Sequence, residues 1–131
     1  MGTLTAARRL RGASSRPLRV LVVDCDEASR TAIAAALEWD SCDALLAGSA
    51  DEAVELAHQA KPDVIVLGAS LARAPNAPLA MAALGHVPLV AFYDRSTSLP
   101  DADAVVPLPL DVLQLLATVR MLAARRAART G

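Results

Sequence analysis

The sequence predicts an α/β fold in which a doubly wound, five-stranded parallel sheet carries helices on both faces. Short runs of β-branched and aliphatic residues alternate along the chain with segments in which alanine and leucine recur at helical spacing. The run from Val64 to Leu67 is continuously apolar, as expected of a strand that is covered on both faces. With 131 residues, 54% hydrophobic, and one each of Trp, Tyr and Phe, the chain suits a single domain with an aliphatic core.

The first strand and helix are predicted between residues 18 and 39. The run LRVLVVD, residues 18–24, indicates a strand. The segment DEASRTAIAAALEW, residues 26–39, has apolar residues at helical spacing, and its acidic first turn is favourable to the helix dipole. Asp26 is therefore expected to cap the amino terminus of this helix.

The second strand and helix follow directly. The run DALLAGS, residues 43–49, predicts a strand, and SADEAVELAHQAK, residues 49–61, predicts a helix. Ser49 and Glu52 have the spacing of a capping box, in which each side chain bonds the other residue's backbone N–H. Pro62 is expected to end the helix.

The second half of the chain predicts three further strands and a long C-terminal helix. The strands are expected at residues 63–68, 87–93 and 103–108, a short helix at 78–85 and the long amphipathic helix at 109–128. Only ten residues, 94–103, connect the last two strands, and Pro100 lies among them. Since a parallel crossover needs roughly 10–12 residues, the fourth helix of the series is expected to be shortened or missing.

Charge divides the chain into three regions. All 14 acidic residues lie between Asp24 and Asp111, so residues 18–120, with only six cations, carry a net charge of −8. We predict a flexible basic arm over residues 1–17, a folded domain over 18–123 and a basic C-terminal tail over 124–131. The negative charge of the body argues against nucleic acid as its partner.

The two cysteines, Cys25 and Cys42, have neither a CxxC spacing nor a disulfide framework. We expect free thiols in a reducing cytoplasm. Cys25 is expected to be a small side chain buried in the interior at the end of a strand. The sequence contains no apolar stretch that is long enough to span a membrane, and it suggests neither a metal site nor a cofactor.

Four strand-end motifs resemble the receiver domain of two-component response regulators: VLVVDCDE, PDVIVLG, VPLVAFYD and DADAVVPLPLDVLQLL. The resemblance covers Leu18 to about Ala123 and implies a flavodoxin-like, receiver-type sheet. In that family, two adjacent acids hold Mg²⁺ and an aspartate accepts a phosphoryl group. A threonine or serine and a lysine then grip the phosphoryl oxygens, so the cation and the lysine neutralise clustered negative charge.

Residue by residue, this sequence departs from the family pattern at four of the five chemical positions. The matched positions are Asp24 for the first acid, Cys25 for the second, Gly68 for the phosphoryl acceptor, Tyr93 for the hydroxyl residue and Leu108 for the lysine. The aromatic switch position falls on Val105. Glycine offers no group to phosphorylate, and a thiol is a soft ligand for a hard cation. Asp24 is expected to serve as a helix-entry acid.

The resemblance and its departures together predict a pseudo-receiver without catalytic activity. We expect it to act in bacterial phosphorelay signalling by phosphorylation-independent protein–protein interaction, through the first helix or through the C-terminal helix at Arg120, Met121 and Arg125. The expected partner is a signalling or regulatory protein, and a homodimer is an alternative. No binding to a membrane is expected. Two alternatives stay open: a small-molecule-sensing receiver-like domain, and the input domain of a longer transcriptional regulator.

Overall fold

The structure of the protein, a computed structural model, describes residues 16–68, 87–93, 102–107 and 111–130. Five strands and three helices lie in those ranges. The strands are β1 (Arg19–Val23), β2 (Asp43–Ala47), β3 (Val64–Leu67), β4 (Leu89–Tyr93) and β5 (Ala104–Pro107). The helices are α1 (Glu27–Trp39), α2 (Ala50–Ala60) and α3 (Val112–Thr130).

All five strands are parallel and lie in the order β2-β1-β3-β4-β5. The predicted fold class is therefore confirmed, since this is the strand order of a flavodoxin-like sheet. The short helix predicted at 78–85 lies outside the described residues, as does most of the connection, 94–101, in which the fourth helix was expected to be shortened or missing.

The sheet separates two apolar layers, because successive side chains of each strand point to opposite faces. One face packs against α1 and α3, and the other against α2. The first layer contains Val20, Val22, Ile33, Leu37, Cys42, Val64, Val66, Val90, Phe92, Val106, Leu115, Leu116, Val119 and Leu122. The second contains Leu21, Val23, Ala47, Ala53, Ala57, Ile65 and Leu67.

Side-chain caps begin both of the first two helices. Asp26 caps α1 as predicted, its Oδ2 accepting from the Ser29 backbone N–H at 3.1 Å and from the Ser29 hydroxyl at 2.6 Å. These hydrogen bonds hold the pKa of Asp26 below its ordinary value, so the cap's contribution to stability is present at neutral pH and is lost as the pH falls through that lowered pKa.

The cap of α2 differs in one detail from the predicted capping box. Ser49 Oγ accepts from the Glu52 N–H at 3.2 Å, as expected. The Glu52 carboxylate, however, accepts from the backbone N–H of Gly48 at 2.9 Å. The Glu52 side chain therefore bonds the backbone of the residue before the N-cap, whereas in a capping box it would bond that of Ser49. The helix ends at Ala60, and Lys61 follows in the left-handed conformation with φ 50°.

Both ends of the described chain attach to one site, the Pro62–Asp63 junction that precedes β3. The guanidinium of Arg16 donates to both carboxylate oxygens of Asp63, at 2.9 and 3.1 Å. Arg126 Nη1 donates to the carbonyl oxygens of Pro62 and Asp63, at 3.0 and 3.3 Å. A basic side chain from each end of the domain is therefore bonded to its body.

Residues that the sequence analysis assigned to the arm and to the tail thus contact the body of the domain. Arg16 was assigned to the arm, and it pairs with Asp63. Helix α3 continues past residue 123 to Thr130, and Arg126 in this part of the helix bonds the carbonyl oxygens of Pro62 and Asp63. Residues 1–15 lie outside the described part of the chain. Within that part, no helix has the length and hydropathy of a membrane span.

Candidate functional site

The candidate site lies at the carboxyl ends of β1 and β3, which are neighbours in the sheet. Backbone pairing continues one residue beyond each strand. The Asp24 N–H donates to the Ala47 carbonyl at 3.0 Å, and the Gly68 N–H donates to the Val23 carbonyl at 2.8 Å. Asp24 and Gly68 are thereby fixed side by side at the edge where parallel α/β sheets commonly place their ligands.

Asp24 links the end of β1 to the start of α1. Its side chain is buried, and Oδ1 accepts from the backbone N–H of Asp26 at 2.9 Å. Arg30, one turn into α1, donates to the Asp24 carbonyl at 2.8 Å. These contacts agree with the expected position of Asp24 at the entry to the helix.

Gly68 has no space for a side chain, because Asp24 fills it. A Cβ atom built on Gly68 would lie 2.5 Å from Asp24 Cγ and 3.0 Å from Asp24 Cβ, and it would overlap Oδ2. Carbon atoms in ordinary contact are about 3.5–4.0 Å apart. The carboxyl group of β1 therefore occupies the volume that an acceptor side chain at the end of β3 would need.

Cys25 is exposed, and the expectation that it fills space in the interior is wrong. The chain turns from β1 into α1 at this point. Asp24 takes the inward position, which leaves the thiol of the next residue on the surface. The buried cysteine is Cys42, which belongs to the layer between the sheet and α1.

The donors at this edge do not fit the magnesium ion that receiver domains hold. Mg²⁺ requires oxygen ligands in near-octahedral geometry. The matched pair here is one buried carboxylate, already bonded to the helix start, and one thiol. No cluster of three or more His, Cys, Asp or Glu side chains suited to a metal occurs within residues 16–68, 87–93, 102–107 and 111–130.

The remaining matched positions are only partly described. Tyr93 is the last residue of β4 and pairs with Pro107 of β5. Val105, at the position of the aromatic switch, pairs with Ala91 and leaves 48% of its surface exposed. Leu108 lies outside the described residues. The structure thus brings Asp24, Cys25 and Gly68 together at adjacent strand ends.

The three proposed interaction residues lie on α3, where Met121 is 41% exposed and Arg125 is exposed. Arg120 has an internal role that the sequence analysis missed. Its Nε bonds Asp40 Oδ2 at 3.1 Å, and its Nη2 bonds the Asp40 carbonyl at 2.6 Å, at the carboxyl end of α1. The two residues are 80 positions apart, so helical spacing gives no signal for this contact.

The two cysteines should differ in reactivity. Burial raises the pKa of the Cys42 thiol above its ordinary value, and the charge of Arg120 only partly opposes this rise. Because alkylation requires an accessible thiolate, we expect iodoacetamide at pH 8 to modify Cys25 roughly tenfold or more faster than Cys42. Intact mass would show one fast adduct, which Cys25→Ser abolishes and Cys42→Ala retains. Equal rates at the two thiols would contradict the described burial.

Comparison with known proteins adds a likeness of fold. No family model matches the sequence, and no curated protein matches it. Among solved structures, a CheY-like response regulator receiver domain protein from Methanospirillum hungatei is similar with a TM-score of 0.75 and 16% identity, over 87% of this chain and 99% of the other.

Two further structures show the same likeness. A response regulator receiver modulated diguanylate cyclase from Pelobacter carbinolicus has a TM-score of 0.74 and 19% identity, over 86% of this chain and 97% of the other. The Francisella response regulator 1452 receiver domain has a TM-score of 0.71 and 21% identity, over 84% and 98%. At these identities the comparisons show that the chain has the receiver fold.

Proposed function

We propose that this chain is a receiver-type signalling domain that acts by binding other proteins without being phosphorylated. The receiver fold supports the signalling role, because folds of this kind in the similar structures belong to response regulators. A fold alone does not assign a function, so the proposal depends on the chemistry of the strand ends.

The contact between Asp24 and Gly68 carries the proposal. An aspartyl phosphate requires a carboxylate at the end of β3, and this position has neither a side chain nor the volume for one. The adjacent acid is buried and bonded to the start of α1, and the next residue is a thiol. Phosphoryl transfer depends on positioned charge, which these groups do not supply.

A binding domain of this kind presents its partner surface permanently. In a phosphorylated receiver, the modification shifts the balance between two conformations and thereby exposes or hides a surface. Without an acceptor, that shift has no trigger at this edge of the sheet. We therefore place the partner surface on the helices, and the partner is a signalling or regulatory protein in the cytoplasm.

The test is incubation with acetyl phosphate and Mg²⁺ followed by intact-mass measurement. We expect no phosphoryl adduct on this protein under conditions that label a receiver domain with a complete acidic pocket, treated in parallel. Hydroxylamine cleaves acyl phosphates, so it distinguishes an aspartyl adduct from a phosphorylated hydroxyl group. A phosphoryl adduct that hydroxylamine removes would refute the proposal.

A further inference from the structure

Helix α3 is apolar on two opposite sides. Its inner side packs on the sheet through Leu115, Leu116, Val119 and Leu122, all of them buried. An exposed outer stripe, which recurs every three or four residues, consists of Leu113, Ala117, Met121, Ala124 and Ala128. Leu113 is 74% exposed, so a bulky apolar group stands in solvent near the start of this 19-residue helix. A surface helix is typically polar on the side that faces water, so the apolar outer stripe of α3 is an unusual feature for an unpartnered surface.

Helix α1 carries a second outer stripe of the same kind. Its members recur at helical spacing and are all exposed: Ala28, Ala32, Ala35 and Trp39. Trp39, the single tryptophan of the chain, is 79% exposed. An aromatic side chain of that size, left in water, is typical of an interface residue.

The charges that border the two stripes are opposite in sign. The α1 stripe is bordered by Glu27 and Glu38, both exposed, and the one cation of that helix, Arg30, is bonded to the Asp24 carbonyl. The α3 stripe is bordered by Arg125 and by Arg120, which is paired with Asp40, and no acidic residue occurs between Val112 and Thr130. The α1 surface is therefore acidic and the α3 surface basic.

The two stripes are neighbours on one side of the molecule. Both helices pack on the same face of the sheet, and the bonds from Arg120 to Asp40 join the middle of α3 to the end of α1. Each copy of the chain thus presents an acidic apolar stripe beside a basic apolar stripe. A two-fold axis that places α1 of one copy on α3 of the other would bury the apolar side chains of both stripes in one interface.

We propose that this surface binds a second copy of the chain, with α1 of each protomer packed against α3 of its partner. The inference rests on the proposed function, since it names the partner of a domain that acts by protein binding. Alanine at most positions of both stripes lets the helix axes approach closely. A symmetric interface also doubles the buried area, because the contact between α1 and α3 occurs twice in the dimer. The opposed charges select this pairing over α1 against α1 or α3 against α3.

Sedimentation velocity over micromolar to near-millimolar concentrations tests the association. We expect a monomer–dimer equilibrium that weakens as salt rises, because opposite charges border the stripes. The emission of Trp39 should shift to shorter wavelength with the same concentration dependence, since dimerisation would bury it. A monomer throughout this range overturns the inference.

Charge substitutions test the pairing. Ala124→Glu places an acid in the α3 stripe opposite an acidic surface, and Ala32→Arg does the converse in the α1 stripe. Each should weaken self-association about tenfold or more. An equimolar mixture of the two variants should recover dimer, because the new arginine then faces the new glutamate. Gln59→Glu, exposed on α2 and behind the opposite face of the sheet, is the matched control and should leave the association unchanged.

A cross-linking experiment separates this pairing from others. In a Cys25→Ser background, Ala32→Cys and Ala117→Cys variants of different tagged mass are mixed and treated with a flexible bismaleimide. We expect mixed dimers in excess of either homodimer. Predominant homodimers of the Ala117→Cys variant would show α3 against α3 and overturn the assignment. Neither outcome depends on whether acetyl phosphate modifies the protein, so the two proposals can fail separately.

Discussion

Replacing Gly68 with alanine lowers the free energy of unfolding by about 2 kcal/mol, although alanine is the smallest side chain that can be added. The new methyl group would lie 2.5 Å from Asp24 Cγ, so the buried carboxyl group must turn away. Turning it breaks the hydrogen bond from the Asp26 N–H at the start of α1. Urea unfolding followed by circular dichroism measures the loss.

A double-mutant cycle with Asp24→Ala identifies the cause. The alanine at position 24 removes the carboxyl group and leaves its Cβ at 3.0 Å from the added methyl, so Gly68→Ala should then cost less than about 1 kcal/mol. Gly48→Ala is the matched control. A Cβ there meets Arg30 Nη1, the atom that donates to the Asp24 carbonyl, at 3.1 Å, and a shift of a few tenths of an ångström relieves the contact, so the change should stay within about 1 kcal/mol of wild type. Equal costs of Gly68→Ala in both backgrounds would reject the steric explanation.

The same geometry explains why one substitution should not restore a phosphoryl acceptor. Gly68→Asp adds a second carboxylate against the first, and it should cost about 3 kcal/mol or more through overlap and like-charge repulsion. We expect this variant to remain unlabelled by acetyl phosphate. The departure from the receiver pattern at Gly68 is therefore coupled to the inward position of Asp24, which itself matches the family.

Replacing Asp63 with alanine should have the next largest effect, a loss of about 2 kcal/mol. The Asp63 side chain is 19% exposed and accepts from the Arg19 backbone N–H at 2.9 Å as well as from Arg16. Its removal leaves the N–H at the start of β1 without that acceptor and releases the arginine. Thermal and urea unfolding would both report the change.

Two further variants separate the backbone hydrogen bond from the ion pair. Asp63→Asn keeps an acceptor for the Arg19 N–H and should lose only about 1 kcal/mol. Arg16→Ala should lose about 0.5 kcal/mol, because half of that side chain is exposed and solvent screens the pair. A loss from Arg16→Ala as large as that from Asp63→Ala would show that the ion pair dominates.

Much of the fold could be predicted because its signals are local. Asp26 followed by Ser29, and Ser49 followed by Glu52, mark helix starts within four residues of sequence. The continuous apolar run predicted a strand that is covered on both faces, and all four residues of β3 are buried. The missed contacts are the long-range ones: Arg120 with Asp40 and Arg126 with the Pro62–Asp63 junction join residues that only the folded chain brings together.

For the candidate site, the sequence indicated which residues lie near one another but not how their side chains are arranged. Alignment of strand ends placed Asp24, Cys25 and Gly68 at one edge of the sheet, because parallel strands end together. That Asp24 turns inward over Gly68, and that Cys25 consequently lies at the surface, depends on the path of the chain from β1 into α1. Residue type alone indicated a small buried thiol, and the turn overrides that preference.

The attachment of Arg16 and Arg126 to one junction has a mechanical consequence. A pulling force applied between the two ends of the described chain would act on adjacent points at the amino edge of the sheet. The load would first open these two arginine contacts, one after the other, instead of shearing the parallel strands against each other. Tension between the ends would therefore act on contacts at the edge of the sheet opposite to Asp24 and Gly68.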